Sequence, residues 1–575
     1  MQSKISLNIQ LRRLRKKRYS AKCKNHKEGC PWLVFASKHQ DEPTFRIKIL
    51  KNKHRCQADH EFKNHLVDAN WVADVMDLKI RQNENTWTPT AIIDEIWHNF
   101  QVKISYHVAW AGRCKVIEKV NGSYAESYGK LPQLCNQILL SNRQNIATCS
   151  RDVALYTFNS LCIAYKASMD GFISGCRPII GLDGCFLKGK YGGAILAATS
   201  LDARNGLFPL AIYICRSEDT NNWTNFLEQI SGHLIRHPLR LTFISDRQKG
   251  LIQAVSNVFP ESNHRFCFRH IFKNFKKKYS GKMLESIVWK AAKAYKINDF
   301  RIHMEELQMQ NKDAYDYLMN KDVCTWARAH VDHTTKSEHI TNNFSESFNN
   351  WIIKLRDKPI LMLAKKYHTM MMTMFHKRSN LGNLWDENEL VPTAVGWLDK
   401  MGGKMKDFVY RGSDGIKWEV ENCFNSTWIV DVEARTCSCV QWQLSGFPCM
   451  HAIVILHSLR VNWPDFCHEC YTVRAYRRSY AGAICPLEDI VDWGAPDREV
   501  LPPITKRPPG RPRMARRRDA DEPAPRKQRR CGNCHQLGHN KKRCNMGATR
   551  SSASTRKKVK TRGASTQSNQ NGNTE

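Results

Sequence analysis

The chain has 575 residues, with 89 Lys and Arg against 54 Asp and Glu and a formal net charge of +35. At roughly 100–200 residues per domain, that length predicts about three to five folding units. A content of 42% hydrophobic and 10% aromatic residues excludes a wholly disordered chain, and no apolar run reaches the roughly 18 residues of a membrane helix.

Met1–Ser20 has no apolar signal core, so no secretory signal is expected. The 22 cysteines then point to free thiols and metal ligands rather than a disulfide scaffold. The charge is uneven. Residues 1–65 hold 17 Lys and Arg against 5 Asp and Glu, net +12. Residues 501–575 hold 20 against 4, net +16, and residues 66–500 hold 52 against 45, net +7. Cationic ends attract a polyanion through counterion release, and nucleic acid is the usual one. A solvated tail explains the charge alone equally well; the cysteines inside both ends shift the balance to nucleic acid.

In residues 1–65, Cys23, Cys30, His54 and Cys56 follow the spacing C-x6-C-x23-H-x-C. Trp32–Ala36 and Thr44–Leu50 read as short strands around a polar turn at Lys38–Pro43. Two Cys on one hairpin edge and a later His-x-Cys can close a tetrahedral zinc site, and a β-unit this small needs such a staple. The basic run Arg12, Arg13, Arg15, Lys16, Lys17 and Arg18 would lie beside it as nucleic-acid contacts. Scattered structural Cys and His is the alternative.

Residues 66–165 read as mainly helical, with apolar spacing over Ala91–Phe100 and Val102–Val120. Tyr106, Trp110, Cys114, Cys135, Cys149 and Cys162 are assigned to core there, and no chemistry is seen.

From about residue 175 the pattern turns to strands. Arg177–Leu182, Gly193–Thr199 and Phe208–Cys215 precede a helix at Asn222–His237. A strand at Leu241–Ser245, a helix at Lys249–Asn257, a strand at Asn263–Phe268 and a helix at His270–Tyr279 follow. Asp183 and Asp246 each end an apolar strand, and functional groups collect beyond strand ends in mixed α/β sheets. Two such acids can share a divalent cation. A third, Glu346 on the helical stretch Asn342–Leu355, would complete a two-metal phosphoryl-transfer site, although an isolated Asp after a strand is most often a turn or cap residue.

The stretch GLDGCFLKGKYGGAILAATSLDARNGLFPLAIYICRSEDTNNW (181–223) resembles the first catalytic block of the Mutator-like element transposases. ISDRQKGLIQAV (244–255), FCFRH (266–270), WKAAKAYKINDF (289–300) and NNFSESFNNWI (342–352) resemble the later blocks, in order. The resemblance implies an α/β, RNase H-like mixed-sheet catalytic domain over 175–356, interrupted by an all-helical insertion at about 283–330. It implies a catalytic triad of Asp183, Asp246 and Glu346 with Mg²⁺ or Mn²⁺, and a Cys-x-x-His at Cys267 and His270. Those two ligands are too few for a metal site; a structural or substrate-positioning role is the reading, with core packing as its alternative. Relatives carry more sequence upstream of Cys23, so a shortened N-terminus is an expectation.

A helical connector is expected over 357–420. Within 423–485, Cys437, Cys439, Cys449 and His451 give C-x-C-x9-C-x-H, with the Cys-x-His opening a helix at Ala452–Ser458. Four soft ligands so spaced suit Zn²⁺, and the pattern resembles the SWIM zinc finger that the same transposases carry. The nearby Cys467 and Cys470 read as ordinary structural cysteines.

Residues 495–530 are a Pro- and Arg-rich linker. Its segment Arg507–Arg513, with Gly510-Arg511-Pro512, resembles an AT-hook core, which lays Arg into a narrow A·T minor groove, but lacks the usual Arg directly before the Gly; a plain basic linker is the alternative. Cys531, Cys534, His539 and Cys544 then give C-x2-C-x4-H-x4-C, a CCHC zinc knuckle (531–544), a module that mostly binds single-stranded nucleic acid. Residues 545–575 are expected to be a disordered basic tail. The clusters Arg516–Arg518, Arg526–Arg530 and Arg556–Lys560 serve equally as nuclear import signals or DNA contacts, and a nuclear location is the expectation.

The favoured expectation is a transposase that binds terminal inverted repeats and target DNA and uses up to three zinc ions. It would act as a homo-oligomer, because two DNA ends must be brought together, with no membrane partner. The rival is a domesticated DNA-binding regulator that no longer cleaves. A nucleocapsid-like chaperone explains only the knuckle.

Overall fold

The computed structural model describes residues 9–15, 18–38, 45–56, 67–84, 86–403 and 405–504. All of them belong to the first of two compact units, Met1–Asp519; the second is Ala520–Glu575. Lys16, Lys17, Arg511, Arg513, the knuckle ligands Cys531, Cys534, His539 and Cys544, and the tail 545–575 lie outside the described residues.

The N-terminal sheet is a meander of β1 (Ile9–Arg15), β2 (Arg18–Cys23), β3 (Leu33–Lys38) and β4 (Phe45–Lys51). Its last two strands coincide with the expected hairpin. The first two are a finding: Arg12, Arg13 and Arg15 lie on β1, antiparallel to β2, whose first residue is Arg18. A run of adjacent cations carries no apolar alternation, so pattern alone reads it as a solvated segment.

Three helices follow, α1 (Ala69–Gln82), α2 (Pro89–Phe100) and α3 (Tyr106–Asn121), each opened by a side-chain cap from Asp68, Thr88 or Ser105. They share a core of Val72, Met76, Ile80, Ile92 and Ile96. Two further helices, α4 (Glu126–Gly129) and α5 (Leu131–Ser141), lead into the main sheet. Here the helical reading of 66–165 is corrected. Helix ends at Ser141, and β5 (Ile146–Arg151) and β6 (Phe158–Ala164) are sheet strands. The buried run FNSLCIA of β6 has no periodicity that separates a strand from a buried helix. Tyr106, expected in the core, is 53% exposed at the start of α3, whereas Cys114, Cys135, Cys149 and Cys162 are buried.

After α6 (Lys166–Gly175) come β7 (Ile179–Phe186), β8 (Ala194–Leu201) and β9 (Leu207–Cys215). Then α7 (Thr220–Leu234), β10 (Thr242–Ser245), α8 (Lys249–Val258), β11 (Asn263–Phe266) and α9 (Phe268–Lys278) alternate. The seven strands form one mixed sheet in the order β11-β10-β7-β8-β9-β6-β5. β10 runs parallel to both β7 and β11, and the other neighbours are antiparallel. Every residue of β8 is buried, so both faces of the sheet are covered, which explains its unbroken AILAATSL run.

Helices α10 (Lys282–Lys293), α11 (Ile297–Gln310) and α12 (Lys312–Met319) build a separate core on Phe268, Ile271 and Phe275 of α9, closed by Trp326. The chain returns to the sheet as α13 (Asn343–Trp351), followed by α14 (Ile360–Asn383) and α15 (Pro392–Gly402). The connector expected as helical to residue 420 turns to strand earlier. β12 (Phe408–Gly412), β13 (Lys417–Asn422), β14 (Thr427–Asp431) and β15 (Thr436–Cys437) make a third sheet, joined by α16 (Gln441–Ser445) and α17 (Met450–Ser458), whereas α18 (Val473–Ser479) packs back on α6 and α14. Among the described residues, no helix is long and apolar enough to cross a membrane.

Candidate active site and zinc centres

Asp183 lies inside β7 rather than beyond its end, because Gly184, Cys185 and Phe186 still pair with Leu196, Ile195 and Ala194 of β8. Asp246 directly follows β10, the parallel neighbour of β7. Glu346 is in the first turn of α13, which packs on β7 and β8.

Asp183 is tightly held. Its Oδ1 accepts the Gly184 N–H at 2.9 Å and its Oδ2 accepts the Asn349 amide at 2.7 Å. Burial, followed by the charges of Asp246, Glu218 and Glu346, pushes its pKa up to about 7. Three acids far apart in sequence therefore share one electrostatic neighbourhood.

Gly181 explains how α13 comes so close. A Cβ at that position would meet Phe344, Ser345 and Asn342 at 2.3–2.5 Å. Across that contact the Asn342 amide donates to the Leu182 carbonyl at 3.0 Å, and the Ser345 and Thr199 hydroxyls meet at 3.0 Å. Cys267, fully buried, joins the other two acids. Its N–H donates to the Ser245 carbonyl beside Asp246 at 2.7 Å, and its Sγ accepts the Asn342 N–H at 3.3 Å. The Asn342 carbonyl in turn receives the Glu346 N–H at 3.3 Å. His270, half-buried one turn on, belongs with Cys267 to no convergent group of metal ligands among the described residues.

One acid escaped the sequence reading. Glu218 follows β9, and its carboxylate lies over Gly184, where a Cβ would meet it at 2.8–3.1 Å. The available signal was an acid three residues beyond a strand end, inside the block that supplied Asp183. Glu346 itself is only partly covered and pairs with Arg269 of α9 at 3.0 Å.

The other two centres are built from sulfur and imidazole. Cys23, Cys30, His54 and Cys56 bring four ligand atoms within 4.8 Å of one another, as do Cys437, Cys439, Cys449 and His451. A tetrahedral zinc with bonds of about 2.0–2.3 Å sets its ligand atoms about 3.5–3.8 Å apart. In the first set, Cys23–Cys56 is 3.5 Å, Cys30–His54 is 3.4 Å and Cys56–His54 is 3.7 Å. In the second, His451 Nδ1 is 3.6 Å from Cys437 and 3.8 Å from Cys449. The residues fit zinc, with His Nδ1 as the ligand atom in both sets.

Each set also contains a sulfur poised as thiolate. Burial opposes ionisation of Cys30, but the backbone N–H groups of Trp32, Arg55 and Cys56 outweigh it and hold the thiol down to about 5. Hydrogen bonds from Cys437 and Cys449 hold Cys439 far below the ordinary thiol range. A Trp backs each imidazole: Trp32 stacks on His54 at 5.2 Å and Trp428 on His451 at 4.0 Å.

Three family models match the chain. The MuDR family transposase model covers residues 4–47, the MULE transposase domain residues 179–274 and the SWIM zinc finger residues 424–460. The chain carries the domain set of a Mutator-like transposase. The transposase-domain match spans Asp183, Asp246, Cys267 and His270 and stops before Glu346. The SWIM match contains all four ligands of the second centre. A Mutator-like domain set supports DNA as the partner, and the SWIM match with the two Cys/His clusters supports zinc binding. No curated protein matches the chain.

Proposed function

We propose that the protein is a Mutator-like DNA transposase that binds terminal inverted repeats through its N-terminal zinc sheet and cleaves and transfers DNA strands at Asp183, Asp246 and Glu346. The observation that carries this reading is the placement of the three acids around the sheet of the matched transposase domain: Asp183 on β7, Asp246 at the end of its parallel neighbour β10, and Glu346 on α13, which packs on β7 and β8. An RNase H-like core is supported by strand order: β9-β8-β7 antiparallel, then β10 and β11 parallel to β7.

The donor set suits hard divalent cations, since carboxylate oxygens are their usual ligands. Burial first, and then the charges of Asp246, Glu218 and Glu346, raise Asp183, and it is that negative charge which such cations would offset. Bound Mg²⁺ or Mn²⁺ would supply Lewis-acid activation of the attacking and leaving oxygens of a phosphodiester. The protein's own contribution is alignment. Gly184 and Asn349 fix the oxygens of Asp183, Cys267 and Asn342 fix α13 against β10, and Arg269 holds Glu346. No covalent protein nucleophile is needed. Two DNA ends must meet, so the active form is a homo-oligomer, working in the nucleus, with the CCHC knuckle handling single strands.

The test is cleavage of a duplex bearing the repeats that flank the coding sequence, with Mg²⁺ or Mn²⁺. Wild type cuts and Asp183→Asn loses at least about a thousandfold. Equal cutting by the variant overturns the triad, and absence of flanking repeats returns the domesticated-regulator reading.

A further inference from the structure

Residues 66–500 carry a surplus of +7, and the stretch 262–284 alone holds seven cations (Arg265, Arg269, Lys273, Lys276, Lys277, Lys278 and Lys282) and no acid. The rest of that long middle is therefore neutral. Five of the seven cations lie on α9. Its apolar side, Phe268, Ile271 and Phe275, is buried against the core of α10–α12, so the helix cannot rotate. Arg269, Lys273, Lys276 and Lys277 are all exposed and follow i, i+4, i+7, i+8 spacing, one face of a helix.

The helix dipole accounts for Lys276, Lys277 and Lys278, which lie in the last turn. It does not account for Arg269, in the first turn, where a cation is disfavoured, or for Lys273 in the middle. Ion pairing does not absorb the stripe either. Arg269 meets Glu346 and Lys276 meets Glu285, but Lys273 and Lys277 have no carboxylate partner among the described residues. The Arg269–Glu346 contact fixes where the stripe begins: at the third acid of the proposed active site.

The geometry points to α9 as a DNA-guiding rail: the phosphodiester backbone flanking the scissile bond runs along Arg269, Lys273, Lys276 and Lys277. From Arg269 to Lys277 the rail rises about 12 Å, a length over which a duplex presents several phosphates. This contact is separate from repeat recognition, is blind to sequence, and rests on the reading of the chain as a DNA-cutting enzyme.

Lysine footprinting of the full-length, zinc-loaded wild-type protein tests it, using an amine-acetylating reagent, mass spectrometry and the repeat-bearing duplex. DNA lowers the labelling of Lys273 and Lys277 at least about threefold and leaves Lys400, exposed on α15, unchanged. Unchanged labelling of Lys273 and Lys277 at saturating DNA overturns the rail. In a second arm, Lys273→Glu with Lys277→Glu, checked for an unchanged melting temperature, lowers the log–log salt slope of duplex binding by roughly 1.8, about 0.9 for each lost phosphate contact. An unchanged slope in a folded variant also overturns it. If wild type fails to cut with either metal while Lys273 and Lys277 are protected, the catalytic reading falls and the rail stands. If wild type cuts and the lysines stay labelled, the reverse holds.

Discussion

The N-terminal sheet and the SWIM module hold the same set of three sulfurs and one imidazole, suited to zinc, in opposite electrostatic settings. The first sits in a segment of net +12, with Arg46, Lys48 and Lys51 exposed on β4. The second, residues 408–460, has four cations against five acids, and its Arg411 is clamped by Glu419 and Glu421. Zinc chemistry is common to both, so it does not decide the partner; the surrounding surface does. The cationic sheet suits phosphate. The near-neutral SWIM module faces its own chain instead. The Gln443 side chain exchanges hydrogen bonds with the backbone of Cys437, the Gln443 backbone carbonyl accepts Lys336 Nζ at 2.9 Å, and the Lys336 backbone carbonyl accepts Arg177 at the foot of β7.

The largest effect that would break this contrast is on repeat binding. Cys30→Ser removes one zinc equivalent and weakens repeat binding at least about a hundredfold, measured by anisotropy, with the main melting transition retained. Cys449→Ser also removes one zinc equivalent, yet leaves repeat affinity within about twofold, lowers the melting temperature of the main unit and reduces cleavage. If both variants lose repeat binding equally, the division of labour is wrong.

A smaller effect sharpens the SWIM side. Lys336→Met leaves the Gln443 carbonyl without its charged donor and costs about 1–3 kcal/mol of unfolding free energy. A destabilised variant with full zinc content locates the link outside the metal. An unchanged melting curve makes the module independent of β7.

An effect of similar size contrasts sulfur with carboxylate. Between about pH 4 and pH 7 the folded, Mg²⁺-free protein keeps a proton on Asp183 that the unfolded chain has lost, so stability falls as pH rises across that window. Asp183→Asn removes this fall and gains roughly 1–3 kcal/mol at pH 8. Mg²⁺ then stabilises wild type but not the variant. The zinc sets act in the opposite direction, losing stability as pH falls because protons compete with zinc for their ligands, which pH-dependent melting of the zinc-loaded Asp183→Asn variant checks.

The chemistry-bearing residues were more legible than the frame around them. Both described zinc sets could be paired from spacing because ligand order along the chain survives folding. The strand–helix alternation from Ile179 to Lys278 was legible because each apolar run is bounded by a turn or charge. β5 and β6 were hidden because a buried strand lacks periodicity, and β1 because arginines conceal it. Glu218 had only a weak signal, for a different reason. Its proximity to Asp183 depends on Gly184 lacking a side chain, and the pairing of β8 with both β7 and β9 brings those segments together only in the folded sheet. Cysteines left over after zinc assignment did not all go to the core: Cys324, Cys423 and Cys485 are exposed.

Gly181 has a consequence for how this architecture tolerates change. The helix that carries Glu346 is seated on the sheet through a contact closed by an absent methyl group and two hydrogen bonds. The helices α10–α12 lie in sequence between β11 and that contact and keep a separate core. Their connecting loops could be lengthened or exchanged between homologues without shifting the third acid, provided α9 stays seated. A single added carbon at Gly181 would displace it.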